Sequence, residues 1–174
     1  MTELFLMRFF ENSPNWALVI KPHPSDQGYI TYSAYKKIKN KSNIHLIGDT
    51  SRVKQMIHSD FNVFPNFDKK QAIISADKIG TLYSFAAIEA IQQDKIPLTI
   101  NLFNINYPLF DPIHEIIDSC NVTDESTLRT GLSNINDFNF KHQLESLQSI
   151  YSPYNISSSH SLLSKAITYL SSNT

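Results

Sequence analysis

The chain has little cysteine and little glycine. Its 174 residues include one cysteine, Cys120, and four glycines. A single cysteine excludes an internal disulfide and favours a reducing compartment. Four glycines leave little room for a phosphate cradle built from glycine, and neither G-x-G-x-x-G nor G-x-x-x-x-G-K-[ST] occurs. H-E-x-x-H and G-x-S-x-G are missing too, which excludes the zinc proteases and the nucleophile-elbow hydrolases that carry them.

The chain also lacks an excess of charge and any long apolar run. Its net charge of -1 argues against a protein that holds nucleic acid by its phosphates. No run approaches the roughly 18 apolar residues of a membrane span. Glu3 and Arg8 interrupt the apolar start, and no signal-peptide cleavage site follows. We therefore expect a cytoplasmic protein that binds no nucleic acid. D-x-D is absent and the six histidines have no zinc spacing, so we expect no metal.

What is present is an alternation of strand and helix patterns. The apolar patterns predict strands at 16–20, 43–47, 78–80, 97–102 and about 120–122. They predict helices at 2–12, 31–40, 51–59, 68–76, 85–92, 112–118, 123–131, 137–150 and 158–171, the one at 123–131 closed by its glycine. Residues 61–67 read as a short edge strand or a packed loop. The alternation indicates an α/β fold, one domain over 1–174, with an open parallel sheet of about five strands and helices on both faces.

The first helix is expected to expose an apolar face. It carries Leu4, Leu6, Phe9 and Phe10 at the very start of the domain. Such a face suggests a surface that another domain or a second chain covers.

Glu89 is the most unusual residue of the central stretch, 71–102. It lies in a helix that is otherwise apolar and rich in alanine, and a charge in that position is costly unless another group bonds it. One interpretation is a carboxylate at the edge of the core, paired with a lysine. The other is an acceptor for the two hydroxyls of a ribose.

Two polar loops follow predicted strands. One holds Lys21, His23 and Ser25, with His23 between two prolines that restrict its backbone. The other is the turn from Thr81 to Ser84. Because open α/β sheets bind ligands at the carboxyl ends of their strands, we expect His23 and Glu89 to face one crevice. The alternatives without a ligand are that His23 bonds a nearby carbonyl and that Ser84 is a plain helix cap.

Three segments together resemble a known family. V-I-K-P-H-P-S-D at 19–26, A-D-K-I-G-T-L-Y-S-F-A-A-I-E-A-I at 76–91 and K-I-P-L-T-I-N at 95–101 resemble the carboxyl-terminal half of GT-B glycosyltransferases. The similarity is greatest to the capsule polysaccharide synthesis group, which includes Kdo transferases. Sialyltransferases and glycerophosphotransferases are relatives that share the His-Pro loop and the serine motif.

The resemblance implies a Rossmann-like half that binds a CMP-, CDP- or UDP-linked sugar and transfers the sugar without a metal. His23 would contact the donor phosphate or sugar, Ser84 the phosphate, and Glu89 the ribose, while Lys21 would add charge. The implied substrate-binding set is Lys21, His23, Pro24, Ser25, Thr81, Ser84 and Glu89. The chain departs from the family pattern at Phe85, where a second Ser or Thr is usual, and at Ile88, where Gly is frequent.

A GT-B enzyme has two Rossmann-like halves, and the resemblance covers the donor half. It therefore implies an acceptor-binding domain or partner chain that supplies the catalytic base, so no catalytic residue is assigned here. Peripheral membrane association would come through that partner. Two alternatives stay open, a half resembling UDP-N-acetylglucosamine 2-epimerase and a non-catalytic nucleotide-binding subunit or remnant.

Overall fold

The structure is a computed structural model that describes residues 2–22, 29–47, 63–64, 69–82, 84–133 and 139–152. The chain divides into two compact units, Met1–Ser75 and Ala76–Thr174. Each unit is described by itself below. The expectation of one domain over 1–174 stays a prediction.

The first unit is a small parallel sheet with helices. Its elements are α1 (Thr2–Glu11), β1 (Leu18–Ile20), α2 (Tyr29–Tyr35), β2 (Ile44–Ile47), β3 (Val63–Phe64) and α3 (Lys69–Ser75). The strands pair in the order β1-β2-β3, and both pairings are parallel. The ambiguous segment 61–67 therefore contains a two-residue strand beside β2. The helix predicted at 51–59 lies outside the described residues.

Helix α1 buries the residues that the sequence led us to expect at the surface. Met7 is fully buried, and Phe9 and Phe10 are 7% and 6% exposed. Met7 packs with Tyr35 of α2 and Ile44 of β2 in the core of this unit. The prediction of an exposed apolar face at Phe9 and Phe10 is therefore wrong. Helical periodicity identifies an apolar face, but it does not reveal which later segment of the chain will cover that face. An exposed apolar face on α1 therefore no longer supports a partner domain or chain, and the partner stays a prediction.

The second unit is a parallel sheet with short connections. Its strands are β4 (Ile79–Thr81), β5 (Pro97–Ile100) and β6 (Asn121–Val122). Its helices are α4 (Ala86–Ile91), α5 (Asp111–Ile116), α6 (Glu125–Ser133) and α7 (Asn139–Tyr151), with 3-10 turns at Pro108–Phe110 and Asp118–Cys120. The strand order is β4-β5-β6, all parallel. Every residue of the central strand β5 is buried, as its continuous apolar run predicts. The helix predicted at 158–171 lies outside the described residues.

The mixed α/β class with parallel strands and flanking helices is confirmed, but the single sheet of about five strands is not what we find. Backbone hydrogen bonds group the described strands into two three-stranded sheets, one in each unit. Apolar runs locate strands without stating which strands pair. The division into two sheets was therefore not visible in the sequence.

Helix α6 does not end at its glycine, so the prediction of a glycine-closed helix is wrong. The helix continues to Ser133, and Gly131 is buried in its last turns. A Cβ at Gly131 would lie 2.7 Å from Leu98 Cδ2 and 3.0 Å from the carbonyl oxygen of Ser119. The glycine therefore permits close packing of α6 on β5 and does not act as a stop signal.

Helix α7 closes the core of the second unit. Leu147 and Tyr151 pack against Ile88 and Ile91 of α4. The Tyr151 hydroxyl donates to the carbonyl oxygen of Leu109 at 2.6 Å. Among the helices that the structure describes, none is long and apolar enough to cross a membrane.

Candidate functional site

The first loop of the predicted site is only partly described. Lys21 follows β1 directly and is exposed. His23, Pro24 and Ser25 lie outside the described residues. Their predicted contacts, and the crevice that His23 was expected to share with Glu89, therefore stay predictions.

The second loop, between β4 and α4, is described except for residue 83. Thr81 is the last residue of β4 and is buried, with 5% of its surface exposed. Ser84 is partly buried, and its hydroxyl oxygen accepts a hydrogen bond from the Ala86 N–H at 3.3 Å. Ser84 is not the N-cap of α4, because Phe85 holds that position and makes no side-chain cap hydrogen bond, so the capping alternative is not what we find. The predicted phosphate contact of Ser84 stays a prediction.

Glu89 lies in the first turn of the six-residue helix α4. The residues on either side of it in the chain, Ile88 and Ala90, are fully buried, as are Ala87 and Ile91. Glu89 itself is only partly buried. The α4 backbone therefore places this carboxylate at the edge of the packed core, where it keeps part of its surface open. The residue as a whole is therefore not sealed in hydrocarbon.

A cleft beyond the carboxyl end of β5 was not predicted as a site. It has a volume of about 280 Å³ and is lined by Asn101, Asn104, Ile105, Asn106, Tyr107, Asp111, His114 and Asn121. The loop at its mouth is held by Asn101, whose side chain donates to the Ile105 carbonyl at 3.0 Å and accepts from the Ile105 N–H at 2.8 Å. Asn104 adopts a positive φ of 50°, a conformation that asparagine tolerates better than most residues. The loop is thus a hydrogen-bonded turn.

His114 of α5 lines this cleft and has a shifted pKa. Its Nε2 atom lies 2.6 Å from Thr99 Oγ1, and the Thr99 hydroxyl donates to the Cys120 carbonyl at 3.1 Å. Because a hydroxyl has one proton, Thr99 can satisfy both contacts only by accepting from an Nε2–H. We therefore assign the Nε2–H tautomer, which leaves Nδ1 as an acceptor. Burial lowers the pKa of His114, and Asp111 and Asp118 oppose the shift. The ring is thus favoured in its neutral form.

Asn121 adds a second acceptor to the cleft. Its Oδ1 atom is buried and has no hydrogen-bond partner among the described residues. The carboxylate of Asp111 is a third acceptor, and the lining includes no lysine or arginine. The cleft is therefore rich in hydrogen-bond acceptors and has no cationic side chain.

One signal in the sequence could have indicated the cleft. A polar, asparagine-rich segment, 101–107, follows the buried strand β5, and polar loops after parallel strands are where α/β folds bind ligands. His114 and Asn121 had no such signal, because they come from segments that meet this loop only in the folded chain.

The part of the chain that the structure describes contains no group of three or more His, Cys, Asp or Glu side chains placed to hold a metal ion. The expectation of metal-free chemistry stays a prediction. Neither a protein family, a curated protein nor a solved structure matches this chain.

Proposed function

We propose that this protein is the donor-binding part of a GT-B glycosyltransferase that makes a surface polysaccharide. It would bind a nucleotide-activated sugar on a Rossmann-like α/β scaffold and transfer the sugar without a metal. The acceptor site and the catalytic base would come from a second Rossmann-like half.

The observation that carries this proposal is the setting of Glu89. Its helix α4 connects two neighbouring parallel strands, β4 and β5, and starts at the carboxyl end of β4. Four neighbours in the helix are fully buried while Glu89 keeps part of its surface open. A carboxylate at the ligand-binding edge of a parallel sheet is well placed to accept hydrogen bonds from the two hydroxyls of a ribose.

The resemblance in the three segments 19–26, 76–91 and 95–101 supports the rest. It assigns the phosphate or sugar contact to His23 and the phosphate contact to Ser84, with Lys21, Pro24, Ser25 and Thr81 completing the set. Charge on the departing nucleotide phosphate would be stabilised by His23 and by polar groups near Ser84, as preorganised donors do at other transferase sites.

The test is a calorimetric titration of the full chain with CMP, CDP and UDP. We expect one of them to bind saturably. Glu89→Gln should weaken the binding of that nucleotide by about 10- to 100-fold, because a hydrogen bond to a charged group contributes about 1.5–3 kcal/mol. His23→Ala should weaken its binding as well. Glu145→Gln, which changes an exposed carboxylate on α7, and His142→Gln are the matched controls and should bind as the wild type does.

A deoxynucleotide separates a ribose contact from a general loss of affinity. If Glu89 accepts from the ribose hydroxyls, the wild type should bind the 2′-deoxy form of the nucleotide more weakly than the ribonucleotide. Glu89→Gln should then reduce the affinity for the deoxynucleotide less than it reduces the affinity for the ribonucleotide. Equal losses of affinity for both nucleotides would show that Glu89 does not contact the ribose hydroxyls. Failure of all three nucleotides to bind would contradict the proposal and favour a non-catalytic subunit.

A further inference from the structure

We propose that the cleft beyond β5 is a binding site for a neutral, hydroxyl-rich ligand of about the size of one sugar ring. The inference is independent of nucleotide binding at Glu89. It rests on the shape of the cleft, on the kinds of groups that line it and on the hydrogen bonds that fix them.

The cleft has a defined wall as well as a volume. Its volume of about 280 Å³ is just below the range of about 300–1,000 Å³ that is typical of small-molecule sites, which limits the ligand to a small one. The loop 101–107 is fixed by the two hydrogen bonds between Asn101 and Ile105. Tyr107 at the mouth stacks on Phe110, with ring centroids 5.7 Å apart and the rings inclined at 25°. Phe110 is buried, so it supports the tyrosine from below. A ligand would meet groups that are already positioned, which reduces the entropy lost on binding.

The acceptors of the cleft call for a ligand with several O–H or N–H donors. His114 presents Nδ1 as an acceptor, since its other nitrogen donates to Thr99. Asn121 Oδ1 is buried with no partner among the described residues, and burying such an oxygen without a donor is costly. Asp111 adds a carboxylate. A ring that carries neighbouring hydroxyls offers several donors to such a set of acceptors.

The same surface disfavours anions. The cleft is lined by no lysine or arginine, and its carboxylate would repel a phosphate. The side-chain amides of Asn104 and Asn106 can both donate and accept, which suits hydroxyls and not a bare charge. Tyr107 is 42% exposed, and an aromatic ring offers an apolar surface beside its polar tip, which suits the C–H face of a sugar.

The test is a titration of the isotope-labelled full chain with D-glucose, D-galactose and N-acetyl-D-glucosamine, followed by NMR. We expect one of them to give saturable shifts in the amides of 101–107 and 121, with a dissociation constant on the order of millimolar, because a ligand with so few atoms binds weakly. Inorganic phosphate and methylammonium are the control probes. They should give no saturable shifts in these amides.

Two substitutions change one acceptor each. His114→Gln keeps a side-chain N–H near Thr99 and replaces Nδ1 by an amide oxygen that is bonded to the same carbon as that N–H, so the acceptor no longer lies where Nδ1 does, and Asn121→Leu removes Oδ1. Each substitution should reduce the affinity for the sugar about three- to tenfold, as the loss of one hydrogen bond does. Asn121→Asp keeps an acceptor and should bind more tightly than Asn121→Leu. His142→Gln lies outside the cleft lining and should leave sugar binding unchanged. Thermal unfolding of each variant will confirm that it is folded.

Acidification gives a second measurement, which begins with the wild-type chain. Protonation of Nδ1 removes the acceptor, so sugar binding to the wild type should weaken as the pH falls through the pKa of His114, while His114→Gln should show a smaller dependence. The proposal is overturned if none of the three sugars gives saturable shifts, or if His114→Gln and Asn121→Leu both bind like the wild type. It is also overturned if phosphate or methylammonium saturates the same amides.

Discussion

The hydroxyl oxygen of Thr99 and the Nε2 atom of His114 lie 2.6 Å apart, and a third group decides which of them donates. The Thr99 proton is directed to the carbonyl oxygen of Cys120, so the histidine must supply its own proton to the pair. A strand, a helix and a 3-10 turn thus fix the tautomer of one imidazole ring.

This arrangement predicts a pH dependence of stability. Burial lowers the pKa of His114 in the folded chain below its ordinary value of about 6.5. The unfolded chain therefore takes up the proton more readily than the folded chain does. The stability that the neutral ring contributes is complete above about pH 6.5 and is lost as the pH falls from there through the lower folded pKa. Urea unfolding between pH 5 and 7.5 should show this loss.

Urea unfolding of two variants over the same pH range tests whether His114 causes the loss of stability. His114→Gln should have a shallower pH dependence over this window, whereas His142→Gln on α7 should keep the wild-type dependence. Direct titration of the His114 ring by NMR should give a pKa below 6.5. A ring that titrates above 6.5 would contradict the burial that the structure shows.

Gly131→Ala should destabilise the protein although it lies within a helix. Alanine is the better helix former by about 1 kcal/mol, so propensity alone predicts a gain. The added Cβ would lie 2.7 Å from Leu98 Cδ2 and 3.0 Å from the Ser119 carbonyl oxygen, and the backbone oxygen cannot rotate away. We expect a net loss of about 1–3 kcal/mol in the free energy of unfolding. Ser126→Ala on the exposed side of α6 is the control and should change stability by less than about 0.5 kcal/mol. A more stable Gly131→Ala would contradict the close packing of α6 on β5.

Asn43 should tolerate neither a charge nor an apolar side chain. Its Nδ2 atom lies 2.7 Å from the Phe10 carbonyl oxygen, 2.8 Å from that of Trp16 and 3.3 Å from that of Ser13. Asn43→Leu removes the donors and should cost about 1–3 kcal/mol. Asn43→Asp places a carboxylate against these carbonyls and should cost more. The additional cost should shrink in acid, because the protonated acid can donate.

The control for this position is Asn12→Asp. The side chain of Asn12 makes one exposed hydrogen bond, to the Arg8 carbonyl oxygen, so its replacement should cost less than either change at Asn43. Urea unfolding of the four chains at pH 7 and pH 4 checks the order. Wild-type stability of Asn43→Leu would show that the amide donors do not hold these carbonyls, and equal stability of Asn43→Leu and Asn43→Asp at pH 7 would contradict the additional cost of the carboxylate.

Cys120 should be inert until the chain unfolds. Burial raises the pKa of its thiol to about 12, with a small opposing effect from Lys78. The thiolate is the reactive form, so at pH 8 only about one folded molecule in ten thousand carries it. Labelling with a thiol-specific disulfide reagent should be slow in buffer, and its amplitude should rise with urea at the midpoint found by circular dichroism. Rapid labelling of the native chain would contradict the burial of Cys120.

The sequence predicted the described elements better than their pairing. Every described helix and strand falls within or close to a predicted segment, because apolar periodicity follows from local geometry. Ends were less well placed. Helix α2 ends at Tyr35 and not at Asn40. The two-sheet division and the burial of Phe9 and Phe10 depend on contacts between distant segments, which no local pattern carries.

The candidate sites divide in the same way. Glu89 could be singled out from the sequence, because a charge among buried alanines and isoleucines is unusual within one helix. For the cleft, the asparagine-rich loop 101–107 was one signal, but its three acceptors could not be singled out, because they come from helix α5 and strand β6. Only the parallel register, which sets Thr99 opposite Asn121, brings β6 beside β5 and close to His114. A site made of single residues from separate elements leaves no motif in the chain.

Helix α7 reaches back to the end of α4. The side-chain amide of Gln148 donates to the Ile91 carbonyl at 3.1 Å and to Asp94 Oδ1 at 2.8 Å, while Leu147 packs beneath Ile88. Helix α4, which carries Glu89, is therefore held from far along the chain as well as by its own loop. A protein shortened to end before Asn139 would keep Glu89, the residue of the proposed ribose contact. It would lose the contacts of α7 that hold helix α4.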